Sequence, residues 1–437
     1  MSQRFFKLFA PFLFALNLIV IVIIWLNGSF LDIRSSNIAG PLIALGRLAG
    51  LLAFYLILWQ IMFIGRVGWI ERAWGHDRLS RFHHFFGIVA IAILALHPIL
   101  LTLGYSKLAQ TTLTSQFLLF LSKYHYTISA LIAYLMFLGI VVLSLWVIRK
   151  RLKYETWYYI HLTLYVAIIL SFFHQIPNSH DLSGRVVGTY WWILFLATLA
   201  NVLYYRFARP MLNLWRHQFR VGQIKKENEN VLSIVINGKN LDRLKAYAGQ
   251  FILVRFLAKN FYWEEHPFSL SEKPIGERFR ITVKAVGDFT SKLATLPLGS
   301  RVFVEGPLGR FTADRAGKKK ILLIAGGIGI TPLRGLFEQF KTDNRPADLI
   351  YVARSENDFA LKNELDQMTG INNKIYYIPE DKVGRLTPEL IKNSIEDITE
   401  RFIYLCGPPP MMKVVREYLK FLGVNKDLIL YEKFQLG

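Results

Sequence analysis

The chain has 437 residues, of which 53% are hydrophobic, 14% aromatic and only 19% charged, with a formal net charge of +21. Its length leaves room for two or three domains at about 150 residues each, and a mean hydropathy of +0.32 excludes disorder and argues against an ordinary soluble enzyme. A single cysteine excludes a disulfide framework and any four-cysteine metal site.

The charge is unevenly spread. Residues 1–216 hold 18 basic and 5 acidic side chains, whereas residues 217–437 hold 34 and 26. Apolar runs crowd the first half, near Leu8–Leu26, Pro41–Ile64, Phe82–Leu103, Tyr126–Ile148, Trp157–Ile176 and Tyr190–Phe207. Each is about the 20 residues an α-helix needs to cross a bilayer, so six spans are expected, with both ends on one side. The first is too long, and lacks the small-residue cleavage site, for a removed signal peptide. Fourteen Lys and Arg between Arg4 and Arg220 fall on one side of these spans, against Arg34, Lys107, Lys123 and Arg185 on the other. The basic side is cytosolic by the positive-inside rule. The basic excess therefore reads as topology and contact with the lipid bilayer, not as recognition of nucleic acid.

From about His217 the texture changes. The runs "NVLSIVI", "QFILVRF", "RFRITVKAV" and "SRVFVEG", punctuated by Gly and Pro, predict a small all-β barrel over 217–316. The strand-like runs "ILLIAGG", "ADLIYVAR", "KIYYIP" and "RFIYLCG" alternate with helix-like stretches and predict a parallel α/β domain over 317–437. With a six-helix transmembrane bundle over 1–216, the fold class is a multi-domain membrane protein.

Histidines mark the apolar half: His83, His84 and His97 in span three, His161 and His174 in span five. Polar side chains at membrane depth are costly and commonly functional. His83 to His97 is about 21 Å of helix rise and His161 to His174 about 19.5 Å. Spans three and five run in the same direction, so the first His of each can meet at one depth and the second at another. Two such pairs could ligate two b-type haems, each iron held from both faces. Zinc is a poorer fit, since few carboxylates and no cysteine lie in the spans. At 100° per residue, His97 lies about 40° from His83 but about 140° from His84, which favours His83. The same arithmetic leaves His161 and His174 out of phase, with no physical account from sequence. His125 and His180 read as exposed loop residues.

In the soluble half, "HPFSLSE" (His266, Pro267, Phe268, Ser269 and on) resembles the flavin-binding signature of ferredoxin–NADP reductase-type barrels, in the variant with His at the first position. Ser269 could hydrogen-bond a flavin, and Pro267 fixes the turn. "KAVGDFTSKL" offers Gly287, Thr290 and Ser291 where a helix begins, a place suited to a pyrophosphate, with Lys284 as countercharge. "AGGIGITPL" supplies Gly326, Gly327, Gly329, Thr331 and Pro332 between an apolar strand and a helix, although its spacing is not G-x-G-x-x-G. "CGPPPMM" places Cys406, Gly407 and Pro408 at a strand's carboxyl end, where ligands bind in open α/β sheets; a core cysteine is the other reading of Cys406. Arg354 and Ser355 suit a ribose 2′-phosphate, with plain surface charge as the alternative.

Taken in order, "FHH…LHP", "HLTLYVAIILSFFH", "HPFSL", "VGDFT", "AGGIGITPL" and "CGPPPMM" resemble the NADPH oxidase and ferric reductase family, from about Arg47 to the C-terminus. The resemblance implies a ferric reductase-like transmembrane domain fused to a ferredoxin–NADP reductase-like module. FAD, NADPH or NADH, and two b-type haems held by His83, His97, His161 and His174 are the implied cofactors. It further implies Cys406 and Phe434 beside the flavin, with Phe434 stacking on its ring. Two departures stand out. Ala167 occupies a position that is often aromatic in relatives, and Phe434 lies three residues short of the end. Without an EF-hand loop or regulatory insertion the chain looks like a minimal bacterial version, in the inner or plasma membrane, with no obligatory protein partner. Dioxygen, yielding superoxide, and a ferric or cupric chelate are the competing acceptors; a haem carrier or partner-fed membrane subunit is a third reading, which the fused reductase module opposes. Arg47 resembles an arginine at the start of span two in NADPH oxidases, where it would face the outer haem. Snorkelling to headgroups is the other reading. Asp32 and Asp181 are the few acids in the outer loops.

Overall fold

The computed structural model describes residues 3–145 and 154–432. Phe434 and the basic residues Arg149, Lys150, Arg151 and Lys153 lie outside the described residues. The chain divides into two compact units, Met1–Ala208 and Arg209–Gly437.

The first unit contains α1 (Gln3–Ile33), α2 (Ala39–Ile64), α3 (Gly68–Trp74), α4 (His76–Ala109), α5 (Leu113–Lys123), α6 (Thr127–Leu145), α7 (Tyr154–Leu162), α8 (Leu164–Asn178) and α9 (Arg185–Leu203), which continues through a π-helical turn at Tyr204–Ala208. Among the described residues six helical segments are long and apolar enough to cross a membrane: Phe5–Ile33, Ala39–Ile64, Arg78–Ala109, Thr127–Ser144, Thr156–Asn178 and Arg185–His217. All six expected spans are there, with most ends extended by flanking polar turns that hydropathy alone does not count. The short α3 and α5 were not expected.

Span two, α2, is the inner helix, buried along much of its length, whereas the other spans turn apolar side chains outward. Its neighbour α4 runs antiparallel and very close, because small residues line the seam. A Cβ at Gly50 would stand 2.6 Å from His97 Nδ1, and one at Gly46 would stand 2.8 Å from a Leu101 methyl. Small residues at a helix crossing let backbones approach in a medium that offers no hydrophobic drive.

Span five is not one continuous helix. Its ladder is interrupted at Thr163, whose N–H reaches back three residues to the Ile160 carbonyl at 3.1 Å while its hydroxyl donates to the same oxygen at 2.8 Å. The phase arithmetic for a straight helix therefore does not hold between His161 and His174.

The second unit opens with α10 (Arg209–His217). There follow β1 (Arg220–Asn228), β2 (Val231–Asn237), β3 (Phe251–Leu257), β4 (His266–Ile275), β5 (Arg278–Lys284), α11 (Asp288–Lys292) and β6 (Arg301–Leu308). The six strands close into a barrel in the order β1-β2-β5-β4-β3-β6, filled by Phe219, Ile234, Ile236, Val254, Phe256, Phe279 and Ile281. The chain then runs through β7 (Ile321–Gly326), α12 (Ile330–Thr342), β8 (Ala347–Ala353), α13 (Lys362–Asp366), β9 (Ile375–Pro379), α14 (Pro388–Ser394), β10 (Phe402–Cys406), α15 (Pro409–Phe421) and β11 (Ile429–Glu432). These strands form a parallel sheet in the order β11-β10-β7-β8-β9. Its central strands are buried on both faces, which is why they read as unbroken apolar runs.

A buried ion pair ties the amino ends of this sheet together. Arg401 Nη1 donates to Asp348 Oδ2 at 2.7 Å and to the Ile321 carbonyl at 3.0 Å, while Asp348 Oδ1 accepts from the Lys374 N–H at 2.9 Å. Removing the carboxylate takes the charged partner from Arg401 Nη1 in the interior and leaves only Asp397 Oδ1, on Nε at 2.5 Å. Asp348→Ala is therefore expected to destabilise the second unit by about 3 kcal/mol, read as a lowered thermal midpoint of the purified full chain; an unchanged midpoint would show the pair to be idle.

Candidate functional site

Two places gather the chemistry-bearing residues, one in each unit. In the membrane unit His83 faces His161 with ring centroids 5.9 Å apart, and His97 faces His174 at 6.2 Å. The interplanar angles are 67° and 66°. His83 Nδ1 lies 3.1 Å from the Gln60 carbonyl, and His97 Nδ1 lies 2.8 Å from the Gly46 carbonyl. Each ring thus hydrogen-bonds α2 through one nitrogen and presents the other to its partner, the orienting arrangement typical of a ligating imidazole. His174 Nδ1 sits 3.3 Å from Asn178 Nδ2. His161 Nδ1 is buried without a hydrogen-bond partner, and the Trp157 ring lies 5.1 Å away. His84 is exposed and turned from the pair, as are His125 and His180 in their loops.

The second pair lies in a largely apolar cavity of about 760 Å³. Gly50, Phe54, Leu94, Phe137 and Gln175 line it, and Leu113, Phe117 and Phe120 of α5 lie along its rim. Arg47 lines the same cavity, and its Nη1 donates to Asp32 Oδ2 at 2.9 Å. The side chain thus borders the cavity and pairs with a carboxylate of α1. Asp181 is buried nearby, 3.5 Å from the Ser29 hydroxyl. Ala167 is fully buried, in the same apolar core as the ring cluster of Phe54, Phe172 and Phe195.

In the second unit, the His266–Glu272 motif lies within β4. His266 packs its ring 3.9 Å from that of Phe289 on α11, and its Nε2 lies 3.1 Å from Glu264 Oε2. Phe268 and Ser269 are buried, with Ser269 paired to Phe251 in the ladder and Pro267 opposite Leu253. Gly287 caps α11. The Thr290 hydroxyl accepts the N–H groups of Val286 and Gly287 at 3.0 and 3.1 Å, so it shapes the turn, and Ser291 follows in the same helix.

A cleft of about 190 Å³ brings together Lys284, Gly326, Gly327, Arg354 and Pro408 from four separate segments. Asn228, Asn230, Asp358, Glu380 and Met411 also line it, and no local pattern pointed to these. Gly327 takes a left-handed φ of 51°, and a Cβ on Gly329 would fall 2.2 Å from the Cys406 carbonyl oxygen. The glycine turn thus presses directly on the Cys406–Gly407 turn. Thr331 donates to the Ile328 carbonyl at 3.0 Å, and Pro332 is buried in the first turn of α12. Ser355 donates to Asp358 Oδ2 at 2.8 Å, so its hydroxyl proton points to the protein. Cys406 is buried; desolvation, and then the Glu432 charge, push its thiol well above the usual range, keeping it neutral.

The arrangement defines a class: a membrane-embedded, NAD(P)H-dependent flavin oxidoreductase. Three family descriptions match the chain in order. The ferric reductase like transmembrane component matches residues 49–172, the FAD-binding domain residues 216–312, and the oxidoreductase NAD-binding domain residues 323–417. A ferric reductase like transmembrane component followed by FAD-binding and NAD-binding domains is the combination found in the NADPH oxidase/ferric reductase family. Among similar proteins, flavohemoprotein A of Dictyostelium discoideum is 25% identical over 257 residues, covering 54% of this chain and 65% of that one, just under two thirds of its length. A probable dihydroorotate dehydrogenase B (NAD(+)) electron transfer subunit of Thermococcus kodakarensis is 32% identical over 175 residues, covering 40% of this chain and 70% of its own. The flavohem-like FAD/NAD binding domain of nitric oxide dioxygenase from Vibrio cholerae is 26% identical with a TM-score of 0.44, covering 49% of this chain and 96% of that one.

Because a Cβ at Gly329 meets backbone rather than a movable side chain, Gly329→Ala is expected to displace the turn. Affinity for NAD(P)H should fall at least about tenfold, with FAD retention unchanged. Titration with ADP-ribose and flavin absorbance check both halves of that expectation.

Proposed function

We propose that the protein carries electrons from cytosolic NADPH through FAD and two b-type haems to dioxygen on the outer side of a bacterial inner membrane, producing superoxide. In this reading residues 1–216 form the haem domain, 217–316 the FAD domain and 317–437 the NADPH domain. The observation that carries it is the stacking of two facing histidine pairs in a membrane unit covalently joined to FAD- and NAD-binding domains.

The residues fit the haems. With a metal–imidazole bond of about 2 Å and a ring radius of roughly 1.2 Å, two imidazoles on opposite faces of one metal ion have centroids about 6.4 Å apart. The two pairs stand at 5.9 and 6.2 Å. Among the described residues there is no cluster of three or more His, Cys, Asp or Glu, so the donor set is a paired one, which suits an iron already held in its macrocycle. When bound, the flavin accepts an electron pair as hydride and passes electrons on singly, and the haems relay them across the bilayer. The chain's own part is positional. Gln60 and Gly46 carbonyls orient His83 and His97; the glycine turn and Cys406–Pro408 would hold the nicotinamide nucleotide, Ser269 would hydrogen-bond the flavin, and Arg354 would receive the 2′-phosphate. At the outer cavity Arg47 favours the negative charge that develops as dioxygen is reduced.

Asp32 is engaged by Arg47 and Asp181 is buried, so neither stands open to gather a ferric chelate; this supports dioxygen over the alternative of ferric or cupric reduction. Two haems per chain are expected, and His97→Ala or His174→Ala should remove one and leave reduction of the flavin by NADPH intact. Pyridine haemochrome quantitation near one in the unaltered protein would refute the assignment. Cytochrome c reduction in air should be abolished by superoxide dismutase. A signal untouched by the dismutase, with ferric chelate reduced equally fast without oxygen, would make the protein a ferric reductase. Arg354→Ala is expected to weaken NADPH about tenfold more than NADH, since only the former carries the 2′-phosphate.

A further inference from the structure

Within the second unit a group of charged side chains lies between the flavin-motif strand and the nucleotide-binding domain, away from the cleft. Glu364, on α13, accepts from Arg280 Nη1 and Nη2 at 2.5 and 2.7 Å. Arg280 belongs to β5 of the barrel. From the other side, Arg334 Nε of α12 stands 3.2 Å from Glu364 Oε2. Arg334 Nη1 also donates to Glu338 at 2.7 Å and to the Ser271 carbonyl at 3.3 Å. Arg280 Nε donates to the Ser271 hydroxyl at 3.3 Å and lies 3.7 Å from Glu272 Oε2. Both guanidinium groups are nearly withdrawn from water, with side-chain exposures of 8% and 7%.

One carboxylate therefore clamps two arginines, one from each domain, and both arginines hold Ser271. That residue lies two positions after Ser269 on β4. Arg334 lies three positions after Thr331, on the helix that the glycine turn opens. Along the same helix, a Cβ on Gly335 would stand 3.5 Å from the Leu270 carbonyl, so α12 packs directly on the flavin-motif strand. Burial alone would raise the Glu364 carboxyl, but hydrogen bonding and charge from Arg280, then the charge of Arg334, outweigh it and keep it below the usual range, hence ionised.

We propose that Glu364 is a positioning residue for hydride transfer: through Arg280 and Arg334 it fixes the strand carrying Ser269 against the helix that opens at Gly329. In the step it serves, a hydride, two electrons with one proton, leaves the nicotinamide and arrives at the flavin, giving NAD(P)+ and reduced flavin. A buried ion pair adds little net stability but strongly specifies one arrangement of its partners. Rate, in turn, is steeply sensitive to small errors in the distance between donor and acceptor.

The inference rests on the reading that NAD(P)H reduces a flavin on the barrel, and is tested on the purified full chain with FAD bound. Anaerobic rapid mixing with NADH and NADPH gives the limiting rate of flavin reduction and the apparent nicotinamide affinity separately. For Glu364→Gln the limiting rate should fall at least about tenfold, with affinity for ADP-ribose and FAD content within about twofold of the unaltered chain. Backbone hydrogen exchange at residues 270–272 and in the first turns of α12 should rise. Glu364→Asp, which keeps the charge, should recover part of the rate. If Glu364→Gln does not fold, Arg334→Lys keeps the charge and loses the fork, and a loss of limiting rate is again expected. An unchanged limiting rate in the folded variant, or a loss confined to binding, overturns the proposal. If the unaltered chain's flavin is reduced by neither nucleotide, the functional reading fails instead.

Discussion

Two hydrogen bonds from imidazole rings to backbone carbonyls fix the register of the membrane unit. His83 reaches Gln60 and His97 reaches Gly46, so fourteen residues on α4 answer fourteen on its antiparallel neighbour. In a hydrocarbon interior each polar group needs an internal partner, and these bonds satisfy one nitrogen of each ring while aiming the other. A helix carbonyl can receive a second donor only where the neighbouring helix comes close, which Gly46 and Gly50 permit. The seam, the ring orientation and the spacing between the two pairs are thus one constraint seen from three sides. The partners on span five then have to meet rings already fixed, and the break at Thr163 lies where a straight helix would bring one of them round out of phase.

The second unit uses charge in place of that register. Parallel strands buried on both faces give no polar edge by which to fix themselves, and Asp348 and Arg401 join the amino ends of several strands at once. Glu364 with Arg280 and Arg334 does the corresponding work between barrel and sheet. The Asp348–Arg401 cluster lies away from the carboxyl ends of the strands, where the Gly326–Gly329 turn and the Cys406–Pro408 turn meet, leaving that edge open for a nucleotide.

Hydropathy made the six spans legible, because twenty apolar residues in a row have few other homes. Apolar runs likewise revealed β2, β3, β5, β6 and the strands from β7 to β10. Strand β1 was missed since "RVGQIKKEN" carries its alternation in polar and charged side chains, and β11 is only four residues long. The helix α5 is short and spotted with polar residues, so its sequence resembles a loop. At the site, glycine turns and histidines announced themselves, and helical phase pointed to His83, the ring that faces His161. The cleft's Asn228, Asn230, Asp358 and Glu380 did not, and neither did Glu364. Glu364 is 84 residues from Arg280, and a pairing across that distance leaves no trace in local periodicity. Arg47 was visible as a charge in an apolar span, but its carboxylate partner became evident only once α1 and α2 had been placed side by side.

The position of α5 sets an order on how the membrane unit can be completed. At 11 residues it is about half the length needed to cross a bilayer, and it joins α4 to α6 on the side where Arg47 and Asp32 meet. Its Phe117 and Phe120 form part of the wall of the cavity that holds His97 and His174. That wall does not exist until the stretch between the third and fourth spans has been delivered across the membrane, and the fifth span, which brings His174, comes later still in synthesis. The cavity around His97 and His174 therefore draws its wall from α4, α5 and the fifth span among others, and is complete only once all of these are in place.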